Sequence, residues 1–406
     1  MEHSSMFDFL YDTYKIKNKI KLIECFAGYG SQNLALKYLG ANYEHHRIVE
    51  WATKSIQAYN DIHVRDYTNY SKPLTYEEVV NYLIKKGISM DYKKPMTLDE
   101  IKRKGEQWCR NVFNNIVATR NLVNITNVKA KDLAIDYKED YTYLLTYSYP
   151  CQTLSLAGKR EGMKKGSGTY SSLLWEIERI LQECHEINCL PQVLVMENVT
   201  GCCDQKNIDD FQQWITFLEK IGYKNYFNIM NAKEYGIPQN RERAFMVSIL
   251  GDYSYNYSKT IDLKLKVRDL LETNINKKHF LSEKMINGMK KTNFESYKLE
   301  NKLIDANGIA SCILARYEGA PQCLFIPQYN SYKAFSPREC FRLMGVKDED
   351  FDNVCTNQSD SSLWHLAGDS IVTTCLMAIF GELLGIDWKE KFNEKEWWNN
   401  ERNSNK

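Results

Sequence analysis

The chain has 406 residues, of which 43% are hydrophobic and 26% charged, with a formal net charge of +1. That length can bury a large core and suits one large domain with a smaller one, while the near-zero charge excludes a uniformly basic nucleic-acid coat. No apolar run approaches the roughly 20 residues of a membrane span, and the start lacks the basic and apolar regions of a signal peptide, so the expected setting is the cytoplasm, away from the membrane.

Twelve cysteines without a regular spacing are expected as reduced thiols. Cys184, Cys189, Cys202 and Cys203 lie close in sequence but lack the paired spacing of a zinc site. They are read as packing, and no metal is expected.

The run from Ile20 to Phe26 predicts a strand that ends in the turn Ala27-Gly28-Tyr29-Gly30-Ser31, followed by a helix carrying Leu34, Leu36 and Leu39. Strand, glycine turn and helix form a unit that can cradle a nucleotide, although a two-glycine turn serves equally well as plain chain geometry. A second strand ends at Glu50-Trp51. Its acid lies 22 residues beyond Gly28, about where such folds meet ribose hydroxyls, and Trp51 offers a flat face for a purine. Together these favour an adenosyl ligand.

Residues 66–128 read as an insertion with helical stretches over Tyr76 to Lys86 and Leu98 to Ala118, expected to pack as a flap. Tyr143 to Tyr147 is a β-rich strand that delivers Pro150-Cys151-Gln152 to its carboxyl end, where ligands of open α/β sheets bind. A cysteine there can be a nucleophile, though buried thiols more often only pack. A helix over Ser171 to Leu181 follows, then a strand over Gln192 to Met196 ending in Glu197-Asn198-Val199. A carboxylate on the same sheet edge as Cys151 can meet it across a cleft, although lone strand-end glutamates more often form salt bridges.

Two further strands, Phe227 to Asn231 and Ala244 to Ile249, flank Gln239-Asn240-Arg241-Glu242-Arg243. The two arginines are expected to point to one side of an extended chain. The composition changes after residue 250, and 251–345 is expected as a small separate domain, with 346–406 returning to a catalytic domain of residues 1–250. Ser336 and Pro337 start a helix as N-cap and first-turn residues. Ala367-Gly368-Asp369-Ser370 precedes an apolar helix from Ile371 to Leu384.

Taken in order, Phe26-Ala-Gly-Tyr-Gly-Ser31, Glu50-Trp51, Pro150-Cys-Gln152, Glu197-Asn-Val199, Gln239-Asn-Arg-Glu-Arg243, Pro337-Arg-Glu339 with Arg342-Leu-Met-Gly345, and Gly368-Asp-Ser370 resemble the cytosine-5 DNA methyltransferases of bacterial and phage modification systems. The resemblance covers nearly the whole chain. It implies an α/β fold, a Rossmann-like mixed sheet with helices on both faces plus a smaller target-recognition domain. The activity it implies is methyl transfer from S-adenosylmethionine to carbon 5 of a flipped cytosine in a specific sequence of double-stranded DNA, leaving S-adenosylhomocysteine.

By that resemblance Cys151 is the nucleophile, Glu197 serves the base, and Arg241 or Arg243 lies near it. Phe26, Gly28, Gly30, Glu50, Trp51, Asp132, Leu133, Pro150, Leu173, Asp369 and Ser370 match cofactor-contacting positions. Gln152, Ser155, Lys159, Arg160 and Arg316 are expected at DNA, the first four on a glycine-containing loop that closes over the site. The protein is expected to act as a monomer, with any cognate restriction endonuclease a separate protein. Asp369 departs from the family's usual asparagine, and residues 251–335 are short for a target-recognition domain.

Three other readings compete. A transfer RNA substrate belongs to a branch that carries a Cys-Phe-Thr segment not found here. A catalytically silent DNA binder would not require Cys151, Glu197, Arg241 and Arg243 together. A dehydrogenase would leave Pro150-Cys-Gln152 and Glu197-Asn-Val199 without a role.

Overall fold

The structure, a computed structural model, describes residues 12–138, 140–154, 162–315, 321–393 and 397–398. The strands in chain order begin with β1 (Lys19–Cys25), β2 (Tyr43–Val49), β3 (Tyr141–Tyr147), β4 (Val193–Asn198), β5 (Tyr223–Asn231), β6 (Gln239–Asn240) and β7 (Glu242–Leu250). Among the described residues, six of them form one sheet in the order β2-β1-β3-β4-β7-β5. The pairs β1 with β2, β1 with β3 and β3 with β4 are parallel, whereas β4 and β7 are antiparallel.

Every residue of β1 from Ile20 to Cys25 is buried, as is every residue of β4, so these strands are covered on both faces, with Lys21, Glu24, Glu197 and Asn198 buried among the apolar residues. Side chains on one face, including Ile23, Cys25, Tyr143, Leu145, Tyr147, Leu194 and Met196, pack on helices α6 (Leu174–Glu186) and α7 (Ile208–Lys220) through Leu174, Ile177, Leu181, Phe211 and Trp214. With the first four strands parallel, the carboxyl ends of β2, β1, β3 and β4 lie side by side along one edge. That edge is where the loops carrying the predicted chemistry emerge.

By compactness the chain divides into two units. The first comprises Met1–Met230, Glu242–Ser258 and Met377–Asp387, and the second Asn231–Arg241, Lys259–Leu376 and Trp388–Lys406. The first unit holds the sheet and the insertion. Within the insertion, α3 (Tyr76–Lys86), α4 (Leu98–Lys102) and α5 (Glu106–Ala118) enclose a core of Val79, Val80, Leu83, Ile101, Cys109, Val112, Phe113 and Ile116. Thr75 and Thr97 open α3 and α4 with capping boxes to Glu78 and Glu100, satisfying amides that the first helical turn leaves open. The stretch predicted as helical from Leu98 to Ala118 is two helices, because Gly105 at φ 84° breaks it.

In the second unit, Cys323–Ile326 pairs antiparallel with Ser331–Ala334. The helix Pro337–Arg342 starts as predicted, with Ser336 accepting from the amide of Glu339. Buried ion pairs hold this region: Lys333 with Glu339 at 2.6 Å and Arg342 with Asp348 at 2.6 Å. Among the described residues no single helix is long and apolar enough to cross a membrane.

Candidate active site

At the end of β1 the chain turns abruptly. Phe26 has φ 59° and Gly28 φ 54°, both left-handed, and Gly30 at φ 87° caps α1 (Ser31–Leu39). A Cβ on Gly30 would fall 2.4 Å from the His63 Nε2, whereas one on Gly28 would meet nothing within 4 Å. Gly30 therefore allows close packing from behind, and Gly28 leaves open space in front of the backbone. His63, on a π turn that follows α2 (Thr53–Tyr59), donates through Nε2 to the carbonyl of Tyr29 at 2.8 Å.

The two halves of the predicted adenosyl signature meet directly. The Glu50 Oε2 accepts from the amide of Gly28 at 2.9 Å and its Oε1 from the amide of Ala52 at 2.7 Å. Glu50 is buried beyond the end of β2, and half-buried Trp51 packs against the insertion core.

Asp132 and Leu133 lie elsewhere. The Asp132 carboxylate accepts from the amide of Lys129, closing a short helical turn, and the Leu133 side chain is fully buried in the sheet core. The Leu133 carbonyl accepts from His46, in the middle of β2 rather than at its end. The segment beside the end of β2 is instead Asn121–Leu122: the amide of Leu122 donates to Ile48 at 2.9 Å, and Asn121 bonds the backbone of Glu50. Asn121 to Ile125, rather than Asp132 and Leu133, therefore adjoin the strand end that carries Glu50. A polar Asn-Leu-Val-Asn run just after a helix was the available signal.

β3 and β4 are neighbours, with Tyr147 opposite Met196. This register brings the Cys151 loop and Glu197 together. The Ser148 hydroxyl donates to the Glu197 Oε2, and the Asn198 Nδ2 donates to the carbonyl of Tyr149 at 2.9 Å, tying the cysteine loop to β4. From β7, the Arg243 Nε lies 3.3 Å from the Glu197 Oε1, with only 8% of the glutamate side chain exposed.

The loop around Cys151 is held by its own backbone. The Cys151 carbonyl accepts from Leu154, the Pro150 carbonyl from the Ser171 hydroxyl at 2.7 Å, and Thr153 bonds both Ser171 and Gly162. Cys151 itself is half-buried, Gln152 exposed, and Leu173 half-buried against the sheet core. Ser155, Lys159 and Arg160, with Arg316, lie outside the described residues.

The arginine pair does not act as one group. Arg243 faces Glu197, whereas the buried Arg241 guanidinium, in the second unit, donates to the carbonyls of Ile313 at 2.8 Å, Gly368 at 2.9 Å and Ser370 at 2.6 Å and to the Cys312 Sγ. In that same unit the Ser370 hydroxyl donates to the carbonyl of Ala367, and the Asp369 carboxylate lies 3.6 Å from His365 and is half exposed.

A mixed sheet carrying a glycine turn and an acidic strand end on β1 and β2, and a cysteine and glutamate on β3 and β4, defines a methyltransferase of the Rossmann-like class. Solved structures agree on the fold: that of the Schizosaccharomyces pombe Dnmt2 methyltransferase aligns with a TM-score of 0.60 at 18% identity, over 91% of this chain and 99% of that one. The family model for C-5 cytosine-specific DNA methylases matches residues 87–385, and the chain belongs to that family. It is a DNA (cytosine-5)-methyltransferase. Among curated relatives it is 32% identical to the type II methyltransferase M2.ScrFI of Lactococcus lactis subsp. cremoris, over 90% of this chain and 99% of the relative. It is also 31% identical to the orphan methyltransferase M.SssI of Spiroplasma monobiae, over 91% and 100%.

Proposed function

We propose that Cys151 adds covalently to carbon 6 of a cytosine flipped out of double-stranded DNA, and that the methyl donor is S-adenosylmethionine. The observation that carries this reading is that the loop leading to Cys151 and the strand end bearing Glu197 leave adjacent parallel strands and are cross-tied through Ser148 and Asn198. A flipped base is required because carbons 5 and 6 are inaccessible in the stacked duplex; extrusion costs a few kcal/mol.

Carbon 5 of cytosine is a poor nucleophile. Forming the bond between the Cys151 sulfur and carbon 6 shifts electron density to carbon 5, while ring nitrogen 3 takes a proton from the Glu197 carboxyl. The Ser148 hydroxyl and the Arg243 guanidinium then stabilise the carboxylate left behind. A free thiol is only about a tenth thiolate at pH 7.5, so positive charge close to Cys151 would favour the reactive form. S-adenosylmethionine, when bound, supplies the electrophilic methyl group. After transfer the carbon 5 proton leaves to a base, its bonding pair re-forms the carbon 5–carbon 6 double bond as the cysteine sulfur departs from carbon 6 as thiolate, and ring nitrogen 3 returns its proton to Glu197.

The residues suit an adenosyl group. Gly28 leaves open space that a side chain would fill, and the buried carboxylate of Glu50 stands beside it, able to accept from ribose hydroxyls while Trp51 offers its ring to the purine. The segment that follows Asn121, as far as Ile125, takes the adenine edge in place of Asp132 and Leu133. Phe26, Pro150 and Leu173 line the same sheet edge. In the second unit, residues within 251–345 read the target sequence, while Gln152 and the basic residues after it hold phosphates, a contribution that weakens with salt. The likeness to type II relatives supports a role in DNA protection.

The test is direct. Duplex DNA incubated with the protein and S-adenosylmethionine should contain 5-methylcytosine after nucleoside digestion and mass spectrometry. Glu197→Gln should lower the rate by roughly 100-fold or more, the usual worth of a general acid. An unchanged rate would remove Glu197 from the mechanism.

A further inference from the structure

The insertion grips the cofactor strand end from two sides. From one side the amide of Ser89 donates to the carbonyl of Trp51 at 2.8 Å, and the carbonyl of Ser89 accepts from the amide of Thr53 at 2.9 Å. From the other, the Asn121 Nδ2 donates to the carbonyl of Glu50 at 2.8 Å, while its Oδ1 accepts from the amide of Glu50 at 3.1 Å and of Val123 at 2.8 Å. Both Ser89 and Asn121 are buried.

The Asn121 side chain therefore bonds the N–H and C=O of a single residue, as a neighbouring strand would, at the point where β2 has ended. Without it the buried backbone of Glu50 would lose both partners. The chain around it is held in an unfavourable shape: Arg120 has φ 49° and Val123 φ 74°, a region that β-branched residues rarely enter. The Val123 amide bond to the Asn121 Oδ1 helps to keep it there. Such strain persists where surrounding structure over-determines it and clusters at ligand sites.

We propose that Asn121 is a positioning residue for cofactor binding, and that the insertion, through Asn121 and Ser89, sets the geometry of Glu50 to Thr53. The Glu50 carboxylate bonds the amides of Gly28 and Ala52, so its direction depends on where the backbone of Glu50 and Ala52 is held. The inference rests on Glu50 and Trp51 facing an adenosyl group, as argued above. It gives residues 66–128 a role in affinity beyond packing.

The test is titration calorimetry with S-adenosylhomocysteine on the full chain, paired with steady-state kinetics. Asn121→Ala should weaken binding tenfold or more and raise the KM for S-adenosylmethionine by a similar factor, with kcat at saturation within threefold of wild type. Asn121→Asp is nearly isosteric and keeps both acceptor bonds, but loses the donor to Glu50; it should weaken binding threefold or more and keeps the proposal testable if the alanine variant does not fold. Val112→Ala, which trims the insertion core without removing a hydrogen-bonding group of Asn121 or Ser89, should lower the melting temperature and leave affinity within twofold. Wild-type affinity in both Asn121 variants, or an equal loss in Val112→Ala, would overturn the positioning role alone. Failure of the wild type to bind would overturn the adenosyl reading with it.

Discussion

Glu24 lies one residue before the end of β1, fully buried, and its replacement by glutamine tests the proton inventory behind the glycine turn. Its Oε1 accepts from the amide of Asn33 at 3.2 Å, and its Oε2 pairs with the Tyr59 hydroxyl. That hydroxyl also accepts from the Asn33 Nδ2 at 2.9 Å and lies 3.0 Å from the His45 Nδ1. The His45 Nε2 faces the carbonyl of Thr119 at 2.7 Å. A carbonyl only accepts, so Nε2 carries a proton and Nδ1 of the neutral ring is an acceptor. Tyr59 then gives its single proton to His45, and the proton shared with Glu24 must come from a neutral carboxyl group. Burial acts the same way, pushing the Glu24 carboxyl up to about 7 and the His45 ring down to about 4.

Because the folded pKa of Glu24 is raised, its contribution to stability is complete below the unfolded value of 4.5 and is lost as pH rises through about 7. The shift is worth roughly 3 kcal/mol. Glutamine stays neutral at every pH and can donate to Tyr59 in place of the carboxyl proton. Urea unfolding followed by fluorescence should show Glu24→Gln gaining on the order of 3 kcal/mol relative to wild type between pH 4 and pH 8. A difference that stays constant with pH would mean that the carboxyl is ionised in the fold, and the inventory would be wrong.

Two further predictions concern the loops. A Cβ on Gly201 would fall 2.5 Å from the carbonyl oxygen of Leu154, so Gly201→Ala must displace the Pro150-Cys151-Gln152 loop; a cost of about 1–3 kcal/mol is expected, with a lower methylation rate in single-turnover assays. Full activity would show that the loop tolerates the shift. Arg241→Ala strips a buried guanidinium from three carbonyls and should destabilise the fold by about 3 kcal/mol, seen as a lower melting temperature. An unchanged melting temperature with abolished methylation would instead put Arg241 on the base.

The neighbouring placement of the Cys151 loop and Glu197 was legible because apolar β-rich runs lead into both, and parallel neighbours bring their ends together. The glycine turn and Glu50 were legible from spacing, but their hydrogen bond was not. That Asn121–Leu122, and not Asp132–Leu133, lie beside the end of β2 was not legible, because the contact there is too short to leave a periodic signature. The arginines looked equivalent from their alternation, yet one meets a carboxylate and the other a set of backbone carbonyls, a difference set by distant residues. Gly105 breaks a helix whose apolar spacing runs on across it. Glu24 stood as a charged residue inside an apolar strand, and such an acid requires partners that only the fold supplies.

The central claim is that Cys151 forms a bond to the target base. Duplex DNA carrying 5-fluorocytosine, which has no carbon 5 proton to release, should trap the protein with S-adenosylmethionine as a denaturation-resistant adduct, and peptide mass spectrometry should place the modified nucleoside on Cys151. Cys151→Ser should abolish the adduct. With DNA that the wild-type protein methylates in its unsubstituted form, absence of an adduct, or an adduct on another residue, would contradict the account.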